Sequence, residues 1–385
     1  MSQTGRGLPG RLRACAAAIA CAAVACGVLA PSAGAALPGN FWGVAPQATL
    51  NAEQFQRLKR GGVDSVRIPI GWPSVQGTRE AAYDWSGIDV QVESAARAGI
   101  EVLPFLSGAP GWAVPSVGVP GSHHTAMAPR SLPVRGAAAK AWSSFVSAAV
   151  ARYGPGGGFW GERPGLTPRP IRTWQIWNEE NFKYFVARPN PAEYGKLVKL
   201  SSKAVRAVDP RATVLLGGLF ARPKEATFKA KPRQAYFATD FLDLLYRTTP
   251  GIKSKFDGVA LHPYSTSYRL LTPDVEEFRA VLKRNHDAGK GLWITELGWS
   301  SGRPSRSNGF NKFEKGRSGQ AAQLKGAFGL LERHQAKWRV RQVFWFSVDD
   351  QPGACNFCDG SGLFGPGFVA KPSWPAYVRF AGGRP

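Results

Sequence analysis

The chain has 385 residues, 44% of them hydrophobic and 19% charged, with a formal net charge of +23. That length can bury a large core in one domain or two. The positive excess favours an anionic partner such as an acidic polysaccharide, a cell-wall polymer, a membrane surface or nucleic acid. The basic residues are scattered rather than blocked, which argues against a nucleic-acid-binding tail, and a basic bias with no partner accounts for them equally well.

Residues 1–36 carry Arg6, Arg11 and Arg13, an alanine-rich apolar stretch from Ala14 to Ala30, and the small residues Ala33, Gly34, Ala35 and Ala36. This is the pattern of a secretory signal peptide cleaved near Ala35 or Ala36. The stretch is too short and too weakly apolar for a membrane span. The alanines three residues before Cys21 and Cys26 make a poor lipidation signal. Its removal lowers the charge by three, to +20, and takes Cys15, Cys21 and Cys26 with it. Cys355 and Cys358 remain and are expected to close a small loop disulfide in an oxidising compartment. One Cys-x-x-Cys pair supplies too few ligands for a zinc site.

From residue 37 onward, short apolar runs alternate with amphipathic stretches. Strands are predicted at Phe41–Val44, Ser65–Ile70, Glu101–Phe105, Arg172–Trp177, Thr213–Gly217, Gly258–Leu261, Leu292–Glu296 and Val340–Phe346. Helices are predicted at Ala52–Arg60, Gly87–Ala98, Gly136–Tyr153, Ala192–Ala207, Ala238–Tyr246, Pro273–Ala288, Gln320–His334 and Pro375–Phe380. Several strands are nearly continuous in hydrophobicity, as expected when both faces are covered. Gly61-Gly62, Gly99, Gly154 and Gly291 follow helical runs where a left-handed residue is tolerated, and Pro191 and Pro273 suit helix starts. Eight unbroken strand–helix repeats predict a single α/β domain, a (β/α)8 barrel over 37–385. An open doubly wound sheet would show a Gly-rich phosphate turn after its first strand, and Phe41-Trp42-Gly43-Val44-Ala45-Pro46 has none.

Two of these strands run into glutamate: Trp174-Gln175-Ile176-Trp177-Asn178-Glu179 and Leu292-Trp293-Ile294-Thr295-Glu296. A carboxylate at the tip of a buried strand is costly to desolvate. In a barrel both would stand at the C-terminal face, where such folds keep their sites. A converging carboxylate pair is what glycoside hydrolysis needs. Trp42, Trp72, Trp112, Trp177, Trp299 and Trp345 fall on strand ends or the loops after them, where indole faces can pack on sugar rings or simply fill the core. Basic residues crowd the loop after the fifth strand (Arg222, Lys224, Lys229, Lys231, Arg233) and the loop after the seventh (Arg303, Arg306, Lys312, Lys315, Arg317). Both loops are expected to project over the catalytic face and attract an anionic glycan. The loop Ser107–Leu132, which holds His123-His124, is long enough to wall a cleft, with Trp112 in a subsite. No carboxylate or third histidine stands at ligand spacing from the two histidines, so no metal is expected there.

The residues around both glutamates resemble glycoside hydrolase clan A, a group of retaining (β/α)8 enzymes. Asn178-Glu179 and Thr295-Glu296 match that clan's acid/base and nucleophile positions. Arg67 on strand two, His262-Pro263-Tyr264 after strand six and Trp345 on strand eight also agree. So do Gly362-Leu363-Phe364 and Lys371-Pro372-Ser373-Trp374-Pro375-Ala376-Tyr377 near the C-terminus. Within the clan the chain looks similar to the β-xylosidase and α-iduronidase family and to related bacterial exopolysaccharide hydrolases. It departs from their usual Asn-Glu-Pro-Asn by placing Glu180 after Glu179, and Glu180 is expected to be a solvated neighbour.

The resemblance implies an exported retaining β-glycosidase acting by double displacement, with Glu179 as acid/base and Glu296 as nucleophile. It further implies that Arg67 and Tyr264 hold the Glu296 anion, that Asn178 binds a sugar 2-hydroxyl, and that His262 shapes the subsite. Trp345 becomes the platform under the reacting sugar, with Trp72 and Trp112 as further contacts. The expected partner is a carbohydrate, the expected state a monomer, and no cofactor, metal or nucleic acid is called for. The alternative is a carbohydrate-binding barrel of the cell envelope that has lost catalysis.

Overall fold

The computed structural model describes residues 37–115, 131–222, 235–303, 312–353 and 358–385. Eight parallel strands close into one barrel in sequence order: β1 (Trp42–Val44), β2 (Ser65–Gly71), β3 (Glu101–Ser107), β4 (Thr173–Ile176), β5 (Thr213–Phe220), β6 (Gly258–His262), β7 (Gly291–Leu297) and β8 (Val340–Trp345). Closure is made by β1 on β8, with Trp42 opposite Val343 and Val44 opposite Trp345. The predicted (β/α)8 architecture is therefore the observed one.

The helices that return the chain are α1 (Ala52–Arg60), α2 (Trp72–Val75), α3 (Ser86–Ala98), α4 (Gly136–Tyr153), α5 (Gly158–Gly161) and α6 (Pro191–Val208). They continue with α7 (Ala238–Thr248), α8 (Leu271–Arg284), α9 (Gly316–Arg333) and α10 (Gln335–Trp338). A small hairpin of β9 (Phe364–Gly365) and β10 (Val369–Ala370) precedes α11 (Ser373–Ala381). No helix among the described residues is long and apolar enough to cross a membrane.

Local chemistry explains most boundaries. Asn51 caps α1 in a reciprocal capping box with Gln54, and Asn190 caps α6 ahead of Pro191 at its first position, where a missing N–H has no bond to lose. Gly99 ends α3 in the left-handed conformation. Three glycines differ from expectation. Gly154 is extended (φ −72°), and Gly291 opens β7 instead of ending a helix. Gly61 (φ −76°) is needed for closeness rather than handedness, since a Cβ there would stand 2.1 Å from the Trp374 ring. Helix α8 starts two residues before Pro273, because a first-turn proline leaves no hydrogen bond unmade.

The core lies between barrel and helices, with a smaller plug inside the barrel formed by Ala45, Leu103, Leu215 and Phe344. This arrangement absorbs most of the tryptophans. Trp42 stacks on Phe328 of α9 at 4.2 Å, and Trp72, Trp177, Trp299 and Trp345 are buried. Cys358 is buried too, whereas Cys355, its expected disulfide partner, lies outside the described residues. His123-His124, Lys224, Lys229, Lys231, Arg233 and Arg306 also lie outside them.

Candidate active site

Arg67 is the one charged residue of strand β2, is 2% exposed and points into the barrel mouth. Its guanidinium is fully committed. One terminal nitrogen meets Glu296 Oε1 at 2.7 Å, the other donates to Asn178 Oδ1 at 2.6 Å, and Nε donates to Gln175 Oε1 at 2.9 Å. The Phe105 ring lies 4.1 Å from it on the remaining side. A planar fork with five donors suits such a junction of β2, β4 and β7.

Glu296, in β7, receives a second donor, the Tyr264 phenol, at Oε2 and 2.8 Å. Burial and the Glu296 charge push the Tyr264 hydroxyl upward, so it stays a donor. Glu179, beyond β4, has a neutral neighbour instead: His262 Nδ1 lies 2.8 Å from its Oε1, while His262 Nε2 lies 2.9 Å from Thr295 Oγ1. Burial, then Arg67, lowers the His262 pKa well below its usual value, so the imidazole is uncharged. In one tautomer it accepts from a protonated Glu179, in the other it donates to an ionised one. The Thr295 hydroxyl can serve either.

The carboxyl groups of Glu179 and Glu296 and the His262 ring bring one polar atom each to within 4.8 Å of one another. Three such groups could in principle ligate a cation. Here the Arg67 guanidinium already neutralises Glu296 and both imidazole nitrogens are engaged, so the cluster is satisfied by hydrogen bonding. The two carboxyls are not equivalent. Burial, then the Glu296 charge, raises Glu179 well above the usual carboxylate range. Burial raises Glu296 as well, but Arg67 and Tyr264 pull it back. Glu296 therefore ionises first and Glu179 keeps its proton.

The backbone contributes to this placement. Trp177 and Glu179 both adopt positive φ, 73° and 43°, a conformation non-glycine residues hold only when surroundings enforce it. The Glu179 N–H donates to Gly218 O at 3.1 Å. Asn181 ties the segment down further, its amide donating to the carbonyls of Phe220 and Tyr236 and accepting from the Phe220 N–H.

Arg67, Asn178, Glu179, His262, Tyr264 and Glu296 thus converge, as the sequence suggests. The Asn178 Oδ1 accepts from Arg67, and among the described residues its side-chain nitrogen has no hydrogen-bond partner. The aromatics do not converge. Trp345 is 0% exposed, donates to Ser361 O at 3.0 Å and packs in a T-shaped contact with Phe328 in α9, so it presents no face to the pocket. The next residue, Phe346, is half-buried and packs at the barrel mouth with its centroid 6.2 Å from Tyr264. Side chains alternate along a strand, so a shift of one residue separates the two faces. Trp72 is also core, donating to Gln76 Oε1. Trp112 is partly exposed, but it lines a flank cavity of about 230 Å³ with Gln76, Arg79 and Tyr83 rather than the carboxylate cluster.

Two further expectations change. Glu180 is 1% exposed, not solvated. Arg222 is not a free cation, because Asp274 and Glu277 of α8 hold it at 2.6 and 2.5 Å. Sequence reasoning also missed Gln175 and Thr295 as partners, and the Gly217-Gly218 pair in β5. A Cβ on Gly218 would stand 2.0 Å from His262 Nε2, and one on Gly217 would stand 1.9 Å from Glu180 Oε2. Adjacent glycines inside a strand are a legible sign that something approaches closely.

No family model and no curated protein matches the chain. Solved structures do. A family 39 glycoside hydrolase from the gut symbiont Bacteroides cellulosilyticus WH2 is 20% identical over 90% of this chain, with a TM-score of 0.62. A GH39 β-xylosidase from Caulobacter crescentus is 20% identical over 90% of this chain and 72% of its own, with a TM-score of 0.61. A GH5_18 protein from Bifidobacterium longum subsp. infantis is 14% identical over 89% of this chain and 78% of its own, with a TM-score of 0.61. This chain spans only 64% of the length of the first of these. At such identities the likeness is one of architecture: the chain has the (β/α)8 fold shared by the clan A glycoside hydrolases.

Proposed function

We propose that the protein is an exported retaining β-glycosidase that hydrolyses O-glycosidic bonds of a polysaccharide or oligosaccharide. The observation that carries this is a pair of buried carboxyls, one oxygen of each within 4.8 Å, of which Glu296 is held by the Arg67 guanidinium and the Tyr264 phenol whereas Glu179 meets the His262 ring. Retaining enzymes hold their carboxyls about 5–5.5 Å apart, whereas inverting enzymes need about 6.5–9.5 Å to admit a water. Similarity in fold to proteins described as β-xylosidases and as family 39 hydrolases supports the same class.

The chemistry follows from the groups present. Ionised Glu296 attacks the anomeric carbon, forming a carbon–oxygen bond as the glycosidic bond breaks. The Glu179 proton passes to the departing oxygen, leaving an alcohol and a Glu179 carboxylate. Water then attacks the anomeric carbon of the glycosyl-enzyme, Glu179 takes its proton, and Glu296 departs as the carboxylate. His262 can follow both states of Glu179 by changing tautomer against Thr295. Asn178 donates to the sugar 2-hydroxyl, a contact that strengthens as positive charge develops on the ring. Phe346 takes the platform role.

Export rests on residues 1–36, and the Cys355–Cys358 bridge belongs to the same reading because it suits an oxidising compartment. A substrate glycan with anionic groups fits the net charge of +20 that is left once residues 1–36 are removed, three arginines fewer than the +23 of the full chain, and the protein acts as a monomer. The test is a panel of aryl glycosides and polysaccharides with wild type, Glu179→Gln and Glu296→Gln. Turnover by wild type and loss in both variants is expected. Wild-type binding without turnover on every glycan would instead identify a binding barrel.

A further inference from the structure

Glu180 has no task in double displacement, yet it is 1% exposed and, among the described residues, neither carboxyl oxygen meets a hydrogen-bond partner. Its carboxyl lies against Gly217 of β5, which only a residue without Cβ permits. From α6 the Tyr194 phenol adjoins it, but that hydroxyl is committed elsewhere. It donates to Ile176 O at 2.8 Å and accepts from the Gly217 N–H at 2.7 Å, bracing β4 against β5. The groups facing Glu180 are therefore Tyr194 from α6, the charge-free Gly217 backbone of β5, and Glu179 in its own segment. No described Lys, Arg or His forms an ion pair with it, and the site's buried cation, Arg67, is spent on Glu296, Asn178 and Gln175.

A carboxylate so placed would carry its charge buried and without a countercharge, whereas an uncharged carboxyl simply fills the space. The segment it belongs to is the one held at positive φ at Trp177 and Glu179.

We propose that Glu180 is a positioning residue whose uncharged carboxyl wedges the Trp177–Asn181 segment against Gly217 and Tyr194, and that loss of its proton releases the wedge and ends activity on the alkaline side. This rests on the assignment of Glu179 as acid/base. Burial pushes the Glu180 pKa up to about 8, with its own backbone and the adjoining Tyr194 hydroxyl acting in the opposite direction, which places the release within an accessible pH range. The sign follows from linkage. The folded protein holds this proton more tightly than the unfolded chain, so stability is greatest below the unfolded value near 4.5 and falls as pH rises toward about 8.

Glu180→Gln keeps the shape and cannot ionise. Without substrate, the difference in thermal midpoint between Glu180→Gln and wild type should widen from pH 4.5 to 8 and then level. A difference independent of pH would overturn the neutral buried acid and with it the proposal. Titration of ¹³C-labelled glutamate carboxyls in wild type, which needs no variant, should show one group titrating near 8, and its absence would also overturn the proposal. In the pH profile of kcat on a responsive aryl glycoside, wild type should be about tenfold lower at pH 9 than Glu180→Gln, each relative to its own plateau, with KM unchanged, because one pH unit above a pKa leaves roughly a tenth of the acid form. Coincident alkaline limbs in an active pair would show that Glu180 only packs, and would overturn the positioning role alone. A wild type inactive on the whole panel, with the thermal difference present, would instead overturn the glycosidase assignment, and the positioning role with it.

Discussion

Replacing Tyr264 by Phe removes one oxygen and tests the electrostatics of the site. The phenol donates to Glu296 Oε2 at 2.8 Å and is 5% exposed. The ring itself, set against Phe220 and Phe346, is retained in the variant. A hydrogen bond to a charged group is worth about 1.5–3 kcal/mol, and one pKa unit corresponds to about 1.36 kcal/mol. Because the lost bond favours the anion, the Glu296 pKa should rise by roughly one to two units. Glu296 must be ionised to attack, so the acid limb of kcat/KM should move to higher pH by that amount while the alkaline limb stays in place. The measurement is the pH dependence of kcat/KM on an aryl glycoside, with thermal unfolding alongside to establish that the fold is intact. An acid limb that does not move in a folded, active variant would refute the role of Tyr264 in holding the Glu296 charge.

Azide should rescue Glu179→Ala as a glycosyl azide of β configuration and Glu296→Ala as the opposite anomer, read by NMR of the products; swapped anomers would reverse the two roles. Gly218→Ala should lose most activity and lower the thermal midpoint, since its Cβ would meet His262 Nε2 at 2.0 Å and overpacking of this kind costs about 1–3 kcal/mol. Phe346→Ala should raise KM severalfold with little change in thermal midpoint. Trp345→Ala should destabilise the fold by about 3–5 kcal/mol, and a purely kinetic effect there would restore Trp345 to the sugar face.

The repeating strand–helix pattern determined the barrel, because strands covered on both faces and helices with capped ends are local properties written in consecutive residues. The two glutamates were legible for a related reason: a charged group ending an apolar strand is anomalous wherever the strand is placed. Pairings across the barrel were not legible in this way. That Trp345 faces α9 while Phe346 faces the mouth depends on where β8 ends its alternation, a difference of one residue that composition does not register. That Arg222 is neutralised by Asp274 and Glu277, and that Glu180 lies buried against Gly217, depends on neighbours between 37 and 55 residues away in the chain. Which carboxyl keeps its proton is likewise settled only when β2, β6 and β7 meet, since burial and the distances to Arg67, Tyr264 and His262 are properties of the closed barrel.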